Sequence, residues 1–454
     1  MKKTVLSIVF IIFTVFPLCG QNIVGDWSGL THFKNGVLKI VFHIQKTDSG
    51  YSATWDTPYQ NGYDLLVDTI LFENKQLTLI CNESNFKYYG TLSKKGDFNG
   101  TFIQRGKYPL FLTQGEKLRP QEPKKPYPYT EEEVTFDNPM APGVTLAGTL
   151  TLPKNQKAPC PAVILVSGSG PQNRDSELFG HRIFLVISDY LTRNGIAVLR
   201  YDDRGVFGST GTETLDTCTS YDFSLDTEAA FNYLKTNKNI NPEQIGIIGH
   251  SEGGMIAPMV AARNKEVAFI VLLAGPGMRI DSLMYLQNKL NYQHNKLSKQ
   301  QIDYFLLIDR QCDSLIINIH DTIVRKEKLT ELITQKLGED NMLGKQKLAL
   351  YTSKWYQYFI NYHPAITLEQ VKCPVLALNG EKDYQVPPKE NLSAIHTALS
   401  NSGNGCFETK EMKKLNHLFQ TCETGAGSEY AKIEETFSPK ALKVIGKWIK
   451  KRTK

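Results

Sequence analysis

The chain lacks three features that would each point to a common class of protein. Its 454 residues include only eight cysteines, which are scattered, and no Cys/His group has the spacing of a zinc site. Its formal net charge is only +6, too mild to indicate a nucleic-acid partner. No apolar run is long enough for a comfortable membrane span. We therefore expect no metal, no cofactor, no nucleic acid and no membrane-spanning helix.

The N-terminus has the form of a targeting segment. An apolar run at 5–16 follows Lys2 and Lys3, and the small residues Cys19 and Gly20 come after it. A basic start, a short apolar core and small residues are typical of a secretory signal peptide. We expect cleavage after Gly20 and a secreted or periplasmic mature chain. Lipid attachment at Cys19 is an alternative, which the bulky residues just before it disfavour.

Residues 21–118 show short alternating apolar runs, such as 37–44 and 76–80, separated by turn residues. Short strands with regular turns predict a small antiparallel barrel or sandwich. The stretch 25–29, Gly-Asp-Trp-Ser-Gly, resembles the opening strand of lipocalin-type barrels. We expect the aromatic residues of this domain to form its core rather than a ligand pocket.

A proline-rich, charged linker at 119–129 separates this part from residues 130–454. Two alternating runs, at 132–136 and 144–150, predict an antiparallel hairpin. Strand and helix patterns then alternate, which predicts a mostly parallel sheet with helices on both faces. Between about 277 and 365 the pattern becomes helical and polar, as in a cap inserted between two strands.

The most informative stretch is 249–253, Gly-His-Ser-Glu-Gly. A buried strand is predicted just before it, and a helix rich in small residues just after it. This context fits the G-x-S-x-G nucleophile elbow, which exposes its serine hydroxyl at the end of a strand. A side chain in place of either glycine would collide with the neighbouring strand or helix. Ser251 is therefore the candidate nucleophile, and an ordinary glycine-rich turn is the alternative.

The elbow motif belongs to the α/β-hydrolases, in which an acid and then a histidine follow the serine along the chain. Asp383 lies in the loop after a predicted buried strand and is the candidate acid, with Glu381 as its rival. His417 follows the last predicted strand and is the candidate base, whereas His363 and His396 fit less well. His417 would take the proton of the nucleophile, and the acid would orient the imidazole.

An oxyanion hole is predicted from a third segment. The buried strand at 162–166 runs into 167–171, Ser-Gly-Ser-Gly-Pro, where glycines leave backbone N–H groups free to face a ligand. The backbone N–H groups of Ser169 and Glu252 are the candidate donors. The alternative is a tight turn that binds nothing.

Together these segments resemble the α/β-hydrolase superfamily over roughly 130–450. Residues 167–175 look like the oxyanion loop of a bacterial esterase group that is related to serine aminopeptidases and thioesterases, and 201–209 resemble the D-x-R-G-x-G-x-S loop of the same group. The resemblance implies that Arg204 braces the site and is not catalytic. Ser167 stands where many relatives have a histidine, which leaves the donor geometry open.

The sequence thus predicts a secreted serine hydrolase that cleaves carboxylic esters through an acyl-enzyme, with a small ester or a short peptide as substrate. A peptidase that removes short N-terminal units is the alternative, and Asp281, Asp303 and Asp309 of the cap are candidates to hold a free amine. A thioesterase or acyltransferase comes third. A non-catalytic ligand-binding protein is the competing class, against which all three triad positions carry competent residues.

Several further residues have two interpretations. The aromatic residues of 355–359 could line an acyl pocket or form the core of the cap. His181 and Arg174, near the oxyanion loop, could touch substrate or lie on the surface. Cys406 and Cys422 are candidates for a disulfide. The oligomeric state is not predicted.

Overall fold

The computed structural model describes residues 23–33, 36–48, 50–57, 62–115, 119–154 and 159–453. The predicted signal peptide and the predicted domain boundary at residue 118 lie outside these residues. The chain divides into two compact units, Met1–Glu116 and Lys117–Lys454.

The first unit is an antiparallel sheet in the order β4-β3-β2-β1-β9-β8-β7-β6-β5. Its strands are β1 Gly25–Phe33, β2 Gly36–Thr47, β3 Gly50–Thr57, β4 Gly62–Leu66, β5 Thr69–Glu73, β6 Gln76–Cys81, β7 Phe86–Leu92, β8 Phe98–Ile103 and β9 Lys107–Gln114. The predicted all-β domain is confirmed as a half-barrel.

Aromatic rings fill the core of this half-barrel. Along β7, buried and exposed side chains alternate strictly, as the two-residue period of a strand requires. Trp27 packs edge-on against Phe98, with ring centroids 4.7 Å apart, and Trp55 packs likewise against Phe86 at 4.5 Å. These rings therefore serve the core of the domain, as expected from the sequence.

The second unit is built on a mixed sheet in the order β10-β11-β15-β12-β16-β17-β18-β19. Only the pairs β10–β11 and β11–β15 are antiparallel in this sheet. The strands of the unit, including the small hairpin β13–β14, are β10 Tyr129–Asp137, β11 Thr145–Pro153, β12 Cys160–Val166, β13 Glu177–Leu178, β14 His181–Arg182, β15 Ala197–Tyr201, β16 Ile240–His250, β17 Phe269–Leu273, β18 Val375–Gly380 and β19 Phe407–Met412.

Helices cover both faces of this sheet, and two buried apolar clusters, one on each face, form its core. The helices are α1 Ile183–Arg193, α2 Ser220–Lys235, α3 Gly253–Arg263, α4 Ile280–His294, α5 Lys299–Asn318, α6 Thr322–Leu337, α7 Met342–Thr352, α8 Lys354–Asn361, α9 Pro364–Leu368, α10 Pro388–Asn401, α11 Gly427–Tyr430 and α12 Pro439–Arg452. The predicted α/β-hydrolase architecture is confirmed.

Helices α4 to α9 lie between β17 and β18, where the cap insertion was predicted. They pack around an apolar cluster that includes Ile308, Cys312 and Tyr356 and that extends to Met255 and Met259 of α3. No helix in the described ranges is long and apolar enough to cross a membrane.

The segment predicted as a linker begins on the second unit. The guanidinium of Arg119 donates hydrogen bonds to the carbonyl oxygens of Gly180 and Ile433, at 2.8 and 3.0 Å. The side chain of Gln121 donates to the carbonyl of Phe437 at 2.7 Å and accepts from the N–H of Thr436 at 2.6 Å. These contacts fix the chain entry into the sheet that carries the site.

Candidate active site

Ser251 occupies a strained turn between β16 and α3. Its φ is +55°, in the left-handed region that residues other than glycine rarely adopt. A Cβ on Gly249 would lie 1.9 Å from the carbonyl oxygen of Gly253, and a Cβ on Gly253 would lie 2.2 Å from that of Val166. Both positions therefore require glycine, and the turn has the backbone of a nucleophile elbow.

His417 and Asp383 form a buried pair. The Nδ1–H of His417 donates to Oδ2 of Asp383 at 2.8 Å, and the carboxyl group of Asp383 is fully shielded from solvent. The other carboxylate oxygen, Oδ1, accepts the backbone N–H groups of Gln385 and Val386 at 2.8 and 2.9 Å. The loop after β18 thus fixes both oxygens, and with them the plane of the imidazole.

Glu381, the rival acid, is engaged elsewhere. Its carboxylate accepts from the ammonium of Lys413 at 3.0 Å and from the backbone N–H of Lys414 at 2.8 Å. These bonds lower the pKa of Glu381. The structure therefore brings Asp383, and not Glu381, to the imidazole of His417.

Ser251 and His417 line the same cavity. Within the described part of the chain, the hydroxyl of Ser251 forms no hydrogen bond with the imidazole. Such bonds are often long in enzymes without substrate and tighten when the substrate binds.

The two residues that carry the candidate oxyanion donors also belong to this cavity. Ser169 and Glu252 both line it, and neither backbone N–H donates to another described residue. Ser167, in the position of the histidine that many relatives carry, donates its hydroxyl to Oδ1 of Asp203 at 2.8 Å. The other oxygen of Asp203 accepts the N–H of Gln172 at 2.9 Å, and burial raises the pKa of Asp203 to about 8. Asp203 thus holds both ends of the loop 167–172, which carries Ser169.

His250 supports the candidate base, a role that the sequence did not suggest. Its Nε2–H donates to the backbone carbonyl of His417 at 2.9 Å, which fixes the loop that carries the imidazole. Burial and the neighbouring imidazole lower the pKa of His250 to about 3. The only sequence feature that could have indicated this role is the position of His250 next to Ser251 in the elbow motif.

The cap is bonded to the elbow through Glu252. The indole N–H of Trp355, on α8, donates to Oε1 of Glu252 at 2.8 Å, and the hydroxyl of Ser220 donates to the same oxygen at 2.6 Å. Burial raises the pKa of Glu252, against the effect of these two donors and of the side chain of Ser169, which also bonds to the carboxylate. One buried carboxylate therefore joins the cap, the start of α2 and the residue whose backbone N–H is a candidate oxyanion donor.

The cavity has a volume of about 560 Å³. Its walls come from the turn at Ser251, the loop after β12, the β13–β14 hairpin, the cap, the loops after β18 and β19, and α11. The lining residues are Gly168, Ser169, Gln172, Leu178, Phe179, His250, Ser251, Glu252, Pro276, Leu283, Met284, Gln287, Asn288, Asn291, Trp355, Phe359, Tyr384, Gln385, Val386, His417, Leu418, Gly427 and Tyr430.

Two residues singled out near the oxyanion loop do not line this cavity. His181 is fully buried, and its ring nitrogens bond to the hydroxyl of Thr436 at 3.1 Å and the carbonyl of Tyr430 at 2.8 Å. Arg174 is paired with Asp202 at 2.8 Å. Both residues are therefore bound to other parts of the protein rather than to the cavity wall.

The three aspartates considered as amine ligands are also absent from the cavity wall. Asp281 pairs with Arg279 at 2.6 Å, and Asp303 is exposed. Asp309 is buried in the cap, where Lys347 neutralises it.

Of the aromatic residues at 355–359, Trp355 and Phe359 line the cavity, with their rings stacked at 5.0 Å. Tyr356 belongs to the cap core, where its hydroxyl donates to Asp313 at 2.9 Å. Both interpretations of this stretch therefore apply, each to different residues.

Arg204, which the resemblance makes a brace of the site, does not line the cavity. Its Nε and Nη2 donate to the two carboxylate oxygens of Asp226 at 2.6 and 2.7 Å, and both side chains are buried.

Cys406 and Cys422 are free thiols, so the candidate disulfide is absent. No group of metal-ligating side chains occurs in the ranges that the structure describes.

The mixed sheet, the cap between β17 and β18 and the serine elbow define an α/β-hydrolase. The chain matches the model of the X-Pro dipeptidyl-peptidase (S15) family over residues 142–418, and it belongs to that family. The protein is therefore a hydrolase, and its family accommodates both the esterase and the peptidase interpretation.

The sequence identity to individual known proteins is low. The chain is 25% identical to Esterase EstD of Thermotoga maritima over 377 residues, which cover 82% of this chain and 76% of that protein. It is 19% identical to the α/β-hydrolase GrgF of Penicillium sp. sh18, covering 72% of this chain and 99% of that one with a TM-score of 0.44. It is 16% identical to the Pyrococcus furiosus esterase Pf2001, covering 72% and 94% with a TM-score of 0.43.

Proposed function

We propose that the protein is a secreted serine esterase with a triad of Ser251, His417 and Asp383. One observation carries the proposal: a serine strained to a φ of +55° opens into the same cavity as an imidazole that a buried carboxylate orients. Strain of this kind persists where function requires it. Secretion rests on the N-terminal sequence alone.

In the first half of the reaction, His417 Nε2 takes the proton of the Ser251 hydroxyl as its oxygen attacks the ester carbonyl. The N–H groups of Ser169 and Glu252 donate to the oxyanion that forms, and one such donor is typically worth about 3 kcal/mol in the transition state. The imidazolium, stabilised by Asp383, then protonates the departing alcohol.

An acyl group is now bound to Ser251 through its oxygen. His417 takes a proton from water, whose oxygen attacks the acyl carbonyl. Collapse of this second tetrahedral intermediate releases the carboxylic acid and returns the proton to Ser251. The cap, bonded to Glu252 through Trp355, encloses the reacting groups.

A dipeptidyl peptidase is the second candidate, because the family is named for that activity. Such an enzyme needs a negative charge to hold the free N-terminal ammonium of its substrate. Among the described residues that line the cavity, the only carboxylate is that of Glu252, and it already accepts from Trp355 and Ser220. This favours the esterase.

The test is a parallel assay of p-nitrophenyl acetate, p-nitrophenyl octanoate and a panel of aminoacyl and Ala-Pro p-nitroanilides, with Ser251→Ala as the blank. We expect release from the esters that depends on Ser251, and little from the anilides. Faster Ser251-dependent release from the Ala-Pro anilide would identify a peptidase, and equal activity of Ser251→Ala would remove the serine mechanism.

A further inference from the structure

The wall of the catalytic cavity is rich in neutral amide side chains. Five amides line it, on three different segments: Gln172, Gln287, Asn288, Asn291 and Gln385. No lysine, arginine or aspartate occurs among the described lining residues. A pocket for a hydrocarbon chain needs few polar groups. Of the five amides, Gln172 is buried, Asn291 is exposed and the other three are partly exposed, so their side chains can donate to and accept from a ligand in the cavity. The wall is therefore built for an uncharged ligand with many hydroxyl groups.

Four of these amides are held by hydrogen bonds to the protein, among them Asn291, whose Oδ1 accepts from the side-chain amide of Asn295 at 3.0 Å. Gln172 accepts the hydroxyl of Ser176 at 2.6 Å, and Gln385 donates to the hydroxyl of Tyr430 at 3.0 Å. Asn288 donates to the buried carboxylate of Asp309 at 3.1 Å. Each amide carries two donor hydrogens and an oxygen with two lone pairs, so each keeps positions for a ligand.

Phe179 adds an aromatic surface at the same cavity. It lies with Gly180 in the two-residue turn of the β13–β14 hairpin, and both have positive φ, +55° and +75°. This turn favours asparagine and glycine, and a phenylalanine there is a backbone outlier. The residue is nevertheless 48% exposed, and its ring packs edge-on against Tyr430, with centroids 5.3 Å apart.

A strained, half-exposed phenylalanine contributes little to the core, so its place at the cavity points to a ligand. Hydroxyl groups that amides can bind, together with C–H groups that can lie on an aromatic ring, are combined in a pyranose sugar. A group that contacts a half-exposed residue extends towards solvent, whereas the acyl group is tethered to Ser251. The sugar is thus the alcohol part of the ester.

We propose that the substrates are O-acylated saccharides, with Phe179 and the cap amides, Gln287 foremost, as specificity-determining residues for the sugar. This inference rests on the proposed esterase function and adds the class of alcohol. In the reaction, the bond between the acyl carbon and the sugar oxygen breaks, and the free sugar hydroxyl takes its proton from His417.

The test compares two matched acetates of primary alcohols. One is a methyl 6-O-acetyl-pyranoside, taken from a panel of gluco, galacto and manno isomers, and the other is cyclohexylmethyl acetate, which has the ring but no hydroxyl groups. Sites built to bind a hydroxyl discriminate against analogues without it by up to about 10⁵-fold. We expect kcat/KM for the best pyranoside to exceed that for cyclohexylmethyl acetate at least about 100-fold.

Two variants and a matched control locate the effect. Gln287→Leu should lower the preference for the pyranoside about tenfold, since it removes the hydrogen bonds of one amide. Phe179→Asn should also lower it without lowering the melting temperature, because asparagine tolerates the left-handed turn. Lys289→Leu, at an exposed position of the same helix that does not line the cavity, should leave the preference unchanged.

The outcomes separate this inference from the function on which it rests. Ser251-dependent hydrolysis with cyclohexylmethyl acetate preferred, or a preference that neither variant changes, would overturn the sugar site and leave the esterase standing. Cleavage of methyl esters of sugar acids, but not of acetylated sugars, would overturn the assignment of the sugar to the alcohol. Absence of Ser251-dependent hydrolysis of every ester would overturn the esterase itself.

Discussion

Asp383→Asn tests the contact of the proposed triad that has the best-defined geometry, the one between Asp383 and His417. The N–H groups of Gln385 and Val386 both donate to Oδ1 of the carboxylate. In the variant, only the amide oxygen can accept these two donors, so the amide Nδ2 takes the place of Oδ2. That atom lies 2.8 Å from Nδ1 of His417. Two N–H groups cannot face each other there, so Nδ1 loses its proton and Nε2 carries it.

His417 in this tautomer cannot take the proton of Ser251, because Nε2 already carries one. A triad with the wrong tautomer loses about 10⁴-fold in kcat, or about 5 kcal/mol of barrier. The opposite amide orientation would leave two backbone donors without acceptors, at about 1–3 kcal/mol each, so it recovers little of the loss. The fold should survive, since asparagine has the shape of aspartate.

The assay is kcat for p-nitrophenyl acetate near pH 8, with the melting curve of each variant as the check on folding. Glu381→Gln is the matched control, because its carboxylate bonds to Lys413 and the N–H of Lys414 rather than to the imidazole. We expect Glu381→Gln to retain nearly full activity. An Asp383→Asn enzyme within tenfold of the wild type, or greater damage from Glu381→Gln, would refute the reasoning.

Three further predictions concern stability. Because the pKa of His250 is lowered to about 3, the unfolded chain binds a proton there that the folded chain excludes, so stability is lost as pH falls from 6.5 towards 3. His250→Gln should therefore abolish an acid-induced loss of roughly 2–3 kcal/mol between pH 6.5 and 4.5 in urea unfolding, and equal pH slopes for both proteins would contradict this. Gly253→Ala should destabilise by at least about 1–3 kcal/mol, because its Cβ would meet backbone at 2.2 Å, whereas Gly405→Ala, with open space around it, should be neutral in thermal melts. Arg204→Met should cost about 3–5 kcal/mol, because it leaves the buried Asp226 unpaired, yet kcat of the folded fraction should stay within a few-fold; a large loss of kcat would make Arg204 more than a brace.

The sequence predicted those features that depend on local backbone chemistry. The elbow at Ser251 requires glycines within two residues of the serine, so the motif itself carries the geometry. The all-β unit, the mixed sheet and the cap followed from periodicity, because burial of one face or both leaves a pattern in the chain. Asp383 could be predicted as the acid because, in α/β-hydrolases, the acid lies in the loop after a late strand of the sheet.

The contacts of residues that belong to no recognised motif could not be predicted from the sequence. His181 is close in sequence to the oxyanion loop, but the β13–β14 hairpin turns it towards Thr436, far along the chain. Gln287 lies on a helix whose polar face resembles any solvated surface until the cap is placed over the site. Phe179 gives no local signal, because a phenylalanine does not predict a left-handed turn.

Covalent labelling of the nucleophile tests the central claim most directly. The mature protein would be treated with an alkyl fluorophosphonate, and the modified residue located by peptide mass spectrometry while p-nitrophenyl acetate hydrolysis is followed. The account predicts one adduct, on Ser251, formed in step with the loss of activity and absent from Ser251→Ala. An adduct on another residue, or full hydrolysis after Ser251 is modified, would contradict it.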